Sequence, residues 1–404
     1  MPGWHDATRE LQREGRVKMV GIVQEQHADR CRLFMQWKQL DWPVMVDSLD
    51  LLEVAVVPIT VLIDQHGIVR RVARPRESPR RTLQAFIDST FDPPTGAAPS
   101  TEAAAAAARP VLPELERAAL AGTPEALRAW ASAMVRFGEP ADLTRAVAAW
   151  QRALELQPSD GHAEFRLGVA HRMLYDSGRG EAADFSRAVA RWERALALDP
   201  NQYIWRRRIQ QYGPRLDKPY PFYDWIGRAR EEIVARGETP VSLTVEPRGA
   251  ELTGPARSFA AVAPGAEPDP EGRIQRDPGT WIDVQATAVP ATIPPGGSTR
   301  VHLEFRVRAA TQAHWNNEAG AMAVWFRPTT GWRVDRPAVE VPLPAAATSE
   351  EVRRVEIELQ AQADATDGVL RAYALYYVCE TAGPCLYRRQ DIELPVQVKR
   401  GRGR

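Results

Sequence analysis

The chain has 404 residues, enough for several domains that each bury a core of their own. Its 52 Lys and Arg residues balance 52 Asp and Glu, so no broad electrostatic attraction singles out nucleic acid as a partner. Three cysteines, Cys31, Cys379 and Cys385, exclude a disulfide-rich scaffold and a four-cysteine zinc site, and no stretch reaches the roughly eighteen apolar residues of a membrane-spanning helix.

In chain order, residues 16–23 read as an apolar strand. Residues 27–40 have helical spacing at Leu33, Phe34, Trp37 and Leu40, with Cys31 as a half-buried packing residue near the helix start. Residues 42–47 give another short strand. Val56-Val57-Pro58-Ile59-Thr60-Val61-Leu62-Ile63-Asp64 reads as a buried strand entered through a proline-fixed turn. A proline at the first residue of a strand loses no ladder hydrogen bond, and X-Pro is the one common place for a cis peptide. Gln65-His66-Gly67 then turns the chain into a second strand over 68–72, which pairs back as a hairpin. Residues 78–91 form a helix with Leu83, Phe86, Ile87 and Thr90 on one side.

This order, with Val57-Pro58 opening the hairpin, resembles the thioredoxin fold of the TlpA/ResA-like redoxins over roughly residues 1–91. The resemblance implies a cis Pro58, flanked by Val57 and Thr60, packed beside a Cys-x-x-Cys redox centre on the first helix. In that family Glu-Met-Pro follows the cysteines along the same helix, and Met1-Pro2 matches its end. The expectation is therefore that the first strand and both catalytic cysteines lie ahead of residue 1, the alternative being a redox-dead thioredoxin fold that kept only its packing. Read as it stands the chain is cytoplasmic; a longer N-terminus would reopen the cell envelope.

Residues 92–112 are linker material rich in Pro, Gly and Ala, with a short helical spacer at 103–108. Residues 113–238 read as nearly all helix and contain a repeat. The segment from Arg145 to Pro158 recurs from Arg187 to Pro200, an offset of 42 residues, and each copy sets Ala, Trp, Ala and Leu on one face before a proline ends the helix. This resembles the second helix of a tetratricopeptide repeat, whose period is about 34 residues; an enlarged loop over 175–181 accommodates the surplus. Ala163, Leu167, Gly168 and Ala170 supply a first repeat helix, and residues 115–137 and 203–212 supply the neighbours that such helix pairs require. Repeats of this kind imply either a peptide-binding face or a rigid spacer. Trp150, Trp192, Tyr223 and Trp225 are the partner-binding candidates, the last two from the aromatic run 220–225, which otherwise plugs the end of the array. His162 and His171 read as ordinary helix residues.

From residue 239 to 398 the pattern changes to strands, at 241–245, 281–286, 299–307, 321–326, 352–359, 368–377 and 386–398, between turns rich in Pro and Gly. About seven short strands with this punctuation indicate an immunoglobulin-like β-sandwich, with 247–278 as a long loop. The basic tail 399–404 is a solvated end. Cys379 and Cys385 flank a five-residue loop, and two cysteines so placed can face each other across a hairpin at the roughly 5.5 Å Cα separation a disulfide needs. A loop this short gains only about 2 kcal/mol from closure, so a purely structural staple explains the pair poorly. Redox activity, a structural disulfide and two free thiols all remain open at this point. Glu380 would raise a thiol pKa beside Cys379, whereas Arg388 and Arg389 would offset it.

The Cys-x5-Cys hairpin and the Leu394-Pro395-Val396 strand behind it resemble the N-terminal periplasmic domain of DsbD, a thiol-disulfide reductase. The resemblance implies that Cys379 and Cys385 pass electrons to partners with thioredoxin folds. His314 and Trp315, read as lying in a loop between two strands, are the candidates for residues near the pair. The chain is thus expected to be multidomain, α/β followed by α followed by β: a thioredoxin-like fold, helical repeats and a sandwich. Its expected activity is thiol-disulfide exchange with protein partners, with a peptide partner on the repeats and neither cofactor nor metal. The alternative is a non-catalytic interaction scaffold; a peroxidase would need a further cysteine upstream.

Overall fold

The computed structural model describes residues 2–73, 77–93, 110–216, 222–252, 259, 266–380 and 383–399. The chain mixes helix and sheet, 35% helical and 25% strand. It divides into two compact units, one of residues 1–176, 191–208 and 224–246, the other of residues 177–190, 209–223 and 247–404.

The first unit opens with helix α1 (Pro2–Arg13). Strand β1 (Gly21–Val23) follows, shorter than expected, because residues 16–19 close the end of α1 instead. Arg16 and Val17 both donate their N–H to the Leu11 carbonyl, and Met19 donates to Gln12 Oε1. Helix α2 (Ala28–Lys38) then leads to β2 (Val44–Val46), which pairs in parallel with β1. Strands β3 (Thr60–Ile63) and β4 (Val69–Ala73) form a separate antiparallel ladder, and α3 (Pro79–Ile87) packs against α1. Asp64 shapes the hairpin turn by accepting from the His66 and Ile68 N–H groups and from Arg70 Nε. The strand expected to be buried is largely open: Leu62 is covered, but Val57, Val61 and Ile63 are exposed. β3 has β4 as its single ladder partner among the described residues.

Helices α4 (Leu112–Ala119), α5 (Pro124–Phe137), α6 (Asp142–Leu156) and α7 (Gly161–Asp176) follow, with α5 packed on α4, α6 on α5 and α7 on α6. Thr123 caps α5 by accepting from the Ala126 N–H, with Pro124 at the first helical position, and this start splits the region expected as one helical stretch. The second repeat copy forms α8 (Asp184–Leu198), followed by α9 (Tyr203–Gln210) and α10 (Trp225–Ala235). The expected spacer at 103–108 lies outside the described residues.

Polar bonds from the helices hold the N-terminal region. Arg166 donates to the Leu49 and Asp50 carbonyls, and Trp205 Nε1 donates to Asp50 Oδ2 at 3.3 Å. Residues 241–245, expected as a strand, run beside α2: Val241 N–H goes to Gln36 Oε1, Thr244 N–H to the Asp29 carboxylate, and the Val245 carbonyl accepts from Arg30. Their bonding capacity is used by side chains, so no ladder forms.

In the second unit, β5 (Ile282–Val289), β7 (Ser298–Val307), β10 (Trp332–Val334) and β13 (Arg353–Ala361) make a four-stranded antiparallel sheet in the order β10-β13-β7-β5. A larger sheet runs in the order β11 (Ala338–Val341), β9 (Met322–Phe326), β14 (Gly368–Glu380), β15 (Cys385–Val398) and β6 (Thr292–Ile293). β8 (Ala313–Asn316) pairs with β14 and with β12 (Thr348–Ser349). Both sheets contribute to one hydrophobic core that includes Phe305, Trp315, Val324, Ile357, Tyr376, Val378 and Leu394. Alternation along β14 is strict: Leu370, Ala372, Ala374, Tyr376 and Val378 enter that core, so Tyr373, Leu375, Tyr377 and Cys379 lie on the outer face.

Candidate functional site

The long hairpin of β14 and β15 carries the cysteines at its tip, where Cys379 and Cys385 are directly opposite in the ladder. They form a disulfide with a Cα separation of 4.0 Å. The two residues are unequally placed: Cys379 is 4% accessible, whereas Cys385 is exposed. An incoming thiolate therefore has access to Cys385, and the buried Cys379 is the natural leaving group.

The register that makes β14 a central strand also sets the surroundings of the pair. β8 pairs with β14 so that His314 stands opposite Cys379. The outer face thus reads His314, Cys379, Cys385 across three adjacent strands. Two ladder positions down, Tyr377 and Tyr387 are opposite each other, with rings stacked at 4.5 Å between centroids. The Tyr387 hydroxyl is pushed up by burial and by the neighbouring Tyr377. The hairpin end is anchored through Glu380, whose Oε1 accepts from Trp281 Nε1 at 3.0 Å. Gly383 leaves room for this carboxylate, since a Cβ there would fall 2.6 Å from Glu380 Oε2.

Of the residues expected near the cysteines, His314 is there, although on a strand and not in a loop. Trp315 is not: it points into the core, edge-on to Tyr376, and donates from Nε1 to the Glu351 carbonyl. Trp150 and Trp192, expected on a partner-binding face, are fully buried. Trp192 Nε1 donates to the Phe165 carbonyl at 3.2 Å, which makes it a core residue of the array. Trp225 stacks on Trp37 of α2 at 5.6 Å, and Tyr223, half-buried, belongs to the other unit. Trp150 and Trp192 therefore present no ring to a partner.

The Val57–Pro58 peptide is cis, as the resemblance implies, with Val57 and Pro58 exposed and Thr60 half-buried at the start of β3. Cys31, the single cysteine of residues 1–91, is buried on α2, and burial pushes its thiol up. His27 is also buried, and burial together with Arg30, Arg172 and Arg208 pushes its imidazole far down. Among the described residues no cluster of His, Cys, Asp or Glu is arranged to hold a metal ion, and no helix is long and apolar enough to cross a membrane. The Tyr pair is the feature that sequence reasoning missed; its alternation along both strands beside Cys379 and Cys385 was the available signal.

No family model and no curated protein matches the chain. Among solved structures it is similar to AvmM, which catalyzes macrocyclization in alchivemycin A biosynthesis, at 12% identity over 32% of this chain and 97% of that one, with a TM-score of 0.20. It is similar also to BslA, a bacterial hydrophobin, at 13% identity over 29% and 99% of the two chains, TM-score 0.19. A third is Spo0M, the sporulation control protein from Bacillus subtilis, at 8% identity over 30% and 50%, TM-score 0.17.

Proposed function

We propose that the protein is a thiol-disulfide relay whose exchange site is Cys379–Cys385, carried by a chain that joins a thioredoxin-like region, tetratricopeptide-type helices and a DsbD-like sandwich. The observation that carries the reading is the asymmetry of the disulfide: an exposed Cys385 bonded to a buried Cys379, on a sheet face that also presents an imidazole. A partner thiolate attacks Cys385 Sγ, and the bond to Cys379 breaks with its electron pair leaving on Cys379 Sγ. That thiolate takes a proton, for which His314 is the nearest strand neighbour on this face. The partner's second thiolate then attacks its own sulfur of the mixed disulfide and expels Cys385 as a thiolate, which is protonated in turn. The partner becomes a disulfide and the pair a dithiol; the reverse sequence reduces a partner.

The thioredoxin-like reading of residues 1–91 is supported by the parallel β1–β2 pair, the β3–β4 hairpin and the cis Val57–Pro58 peptide. The rival reading, a non-catalytic scaffold, is favoured by one observation: this region holds a single cysteine, and it is buried.

The test incubates the native oxidised protein with reduced thioredoxin as a dithiol probe, blocks free thiols with an alkylating reagent and reads intact mass and peptide masses. Cys379 and Cys385 are expected to become alkylated together while Cys31 stays unmodified, and His314→Gln is expected to slow the reaction by about tenfold or more. A pair that resists the probe until the protein is unfolded would reduce the disulfide to a structural staple.

A further inference from the structure

Beside the disulfide, β14 and β15 present a second pair whose rings no core contact explains. Tyr377 and Tyr387 lie on the outer face, away from the hydrophobic core shared by the two sheets, and Tyr387 is 39% accessible. Gly320 lies beside the Tyr377 ring: its φ is +149°, and a Cβ there would meet Tyr377 Cε2 at 3.4 Å, an ordinary contact. The pair is thus a stacked aromatic unit, half-buried at Tyr377 and open on the Tyr387 side.

Its position relative to the sulfur is fixed by register. Cys385 and Tyr387 are two residues apart on one strand, so their side chains emerge on the same face about 6.6 Å apart along the strand. An attacking thiolate must approach Cys385 in line with the bond to Cys379. A thiol-bearing segment that lies extended on this face therefore sets the side chain two positions from its cysteine over the tyrosine rings. Flat aromatic surfaces favour aromatic or other apolar side chains, through stacking and through area removed from water.

We propose that Tyr377 and Tyr387 form the docking platform for the relay's thiol partner, and that this partner offers its attacking cysteine on an extended segment with an aromatic residue two positions away. This inference rests on the relay reading given above. It assigns selectivity to a pair of residues that do not themselves react.

The test compares two probes, the blocked tripeptides Cys-Gly-Trp and Cys-Gly-Gly, with dithiothreitol as a reductant too small to use the platform. Reduction of the disulfide is followed by alkylation and mass. In the native protein the Trp peptide is expected to react about three- to tenfold faster than the Gly peptide. Tyr387→Ser is expected to remove that preference, leave the dithiothreitol rate within about twofold, and be rescued by Tyr387→Phe. Equal rates for the two peptides in the native protein would overturn the inference while leaving the relay intact, as would a Tyr387→Ser variant that slows dithiothreitol as much as the Trp peptide. A disulfide that resists all three reductants would overturn the relay and the platform together.

Discussion

Single side chains in the second unit show how charge is managed where a sheet face is covered. His302 on β7 directs Nδ1 at Glu356 Oε1, 3.1 Å away, and Nε2 at the Tyr212 carbonyl, 2.8 Å away. Both ring nitrogens thus face acceptors. Burial pushes the Glu356 carboxyl up, but the His302 hydrogen bond and the charges of His302, Arg300 and Arg248 outweigh it and hold the group well below the usual carboxylate range. A depressed folded pKa contributes stability that is present above the unfolded value, about 4.3 for Glu, and is lost as pH falls toward the folded one. The thermal unfolding temperature of this unit is accordingly expected to fall as pH drops from 5 to 3. Glu356→Gln should be less stable than the native protein at pH 6 and lose less on acidification; equal losses in the two proteins would remove Glu356 from the pH response.

Elements differ in how openly the chain announces them. The repeat helices were legible because their apolar residues recur at helical spacing over four turns and the pattern returns intact 42 positions later. Copies beginning at Arg145 and Arg187 became α6 and α8, and Pro158 and Pro200 follow their ends. What the pattern did not reveal was which face a Trp serves. On an apolar stripe it is core, and burial of Trp192 with its indole N–H bonded leads to a definite expectation. Trp192→Ala should cost about 3–5 kcal/mol by urea denaturation, whereas Arg152→Ala, on the solvent side of α6, should change stability by less than about 0.5 kcal/mol. Similar costs for the two would mean that the stripe does not hold the array together.

Short strands were illegible for the opposite reason. β8, β10, β11 and β12 span two to four residues, too few for any period to show, and their existence depends on partners far away in sequence. His314 was assigned to a loop for that reason, and its place opposite Cys379 follows from the β8–β14 register alone. Residues 241–245 erred the other way: their alternation suits a strand, yet Gln36, Asp29 and Arg30 take up their backbone groups. The cysteine hairpin was readable because both strands are long and only five residues separate the cysteines in sequence.

Across the whole chain the redox-related features divide between the two units. Pro58 and Cys31 belong to the first, and the disulfide with its imidazole and tyrosine neighbours to the second. A relay that works through Cys385 needs nothing from Cys31, whose thiol is buried and pushed up. The most direct measurement is therefore covalent capture. Purified full-length Cys379→Ser, with Cys385 left as a free thiol, is mixed with excess oxidised glutathione, a disulfide whose halves carry no second thiol to resolve the product, and the products are resolved by mass with and without dithiothreitol. Exchange through the exposed sulfur gives a one-to-one adduct on Cys385 that dithiothreitol reverses, and none in Cys385→Ser. No adduct in either variant, or equal adducts through Cys379 and Cys385, would show that the asymmetry of this disulfide does not direct exchange.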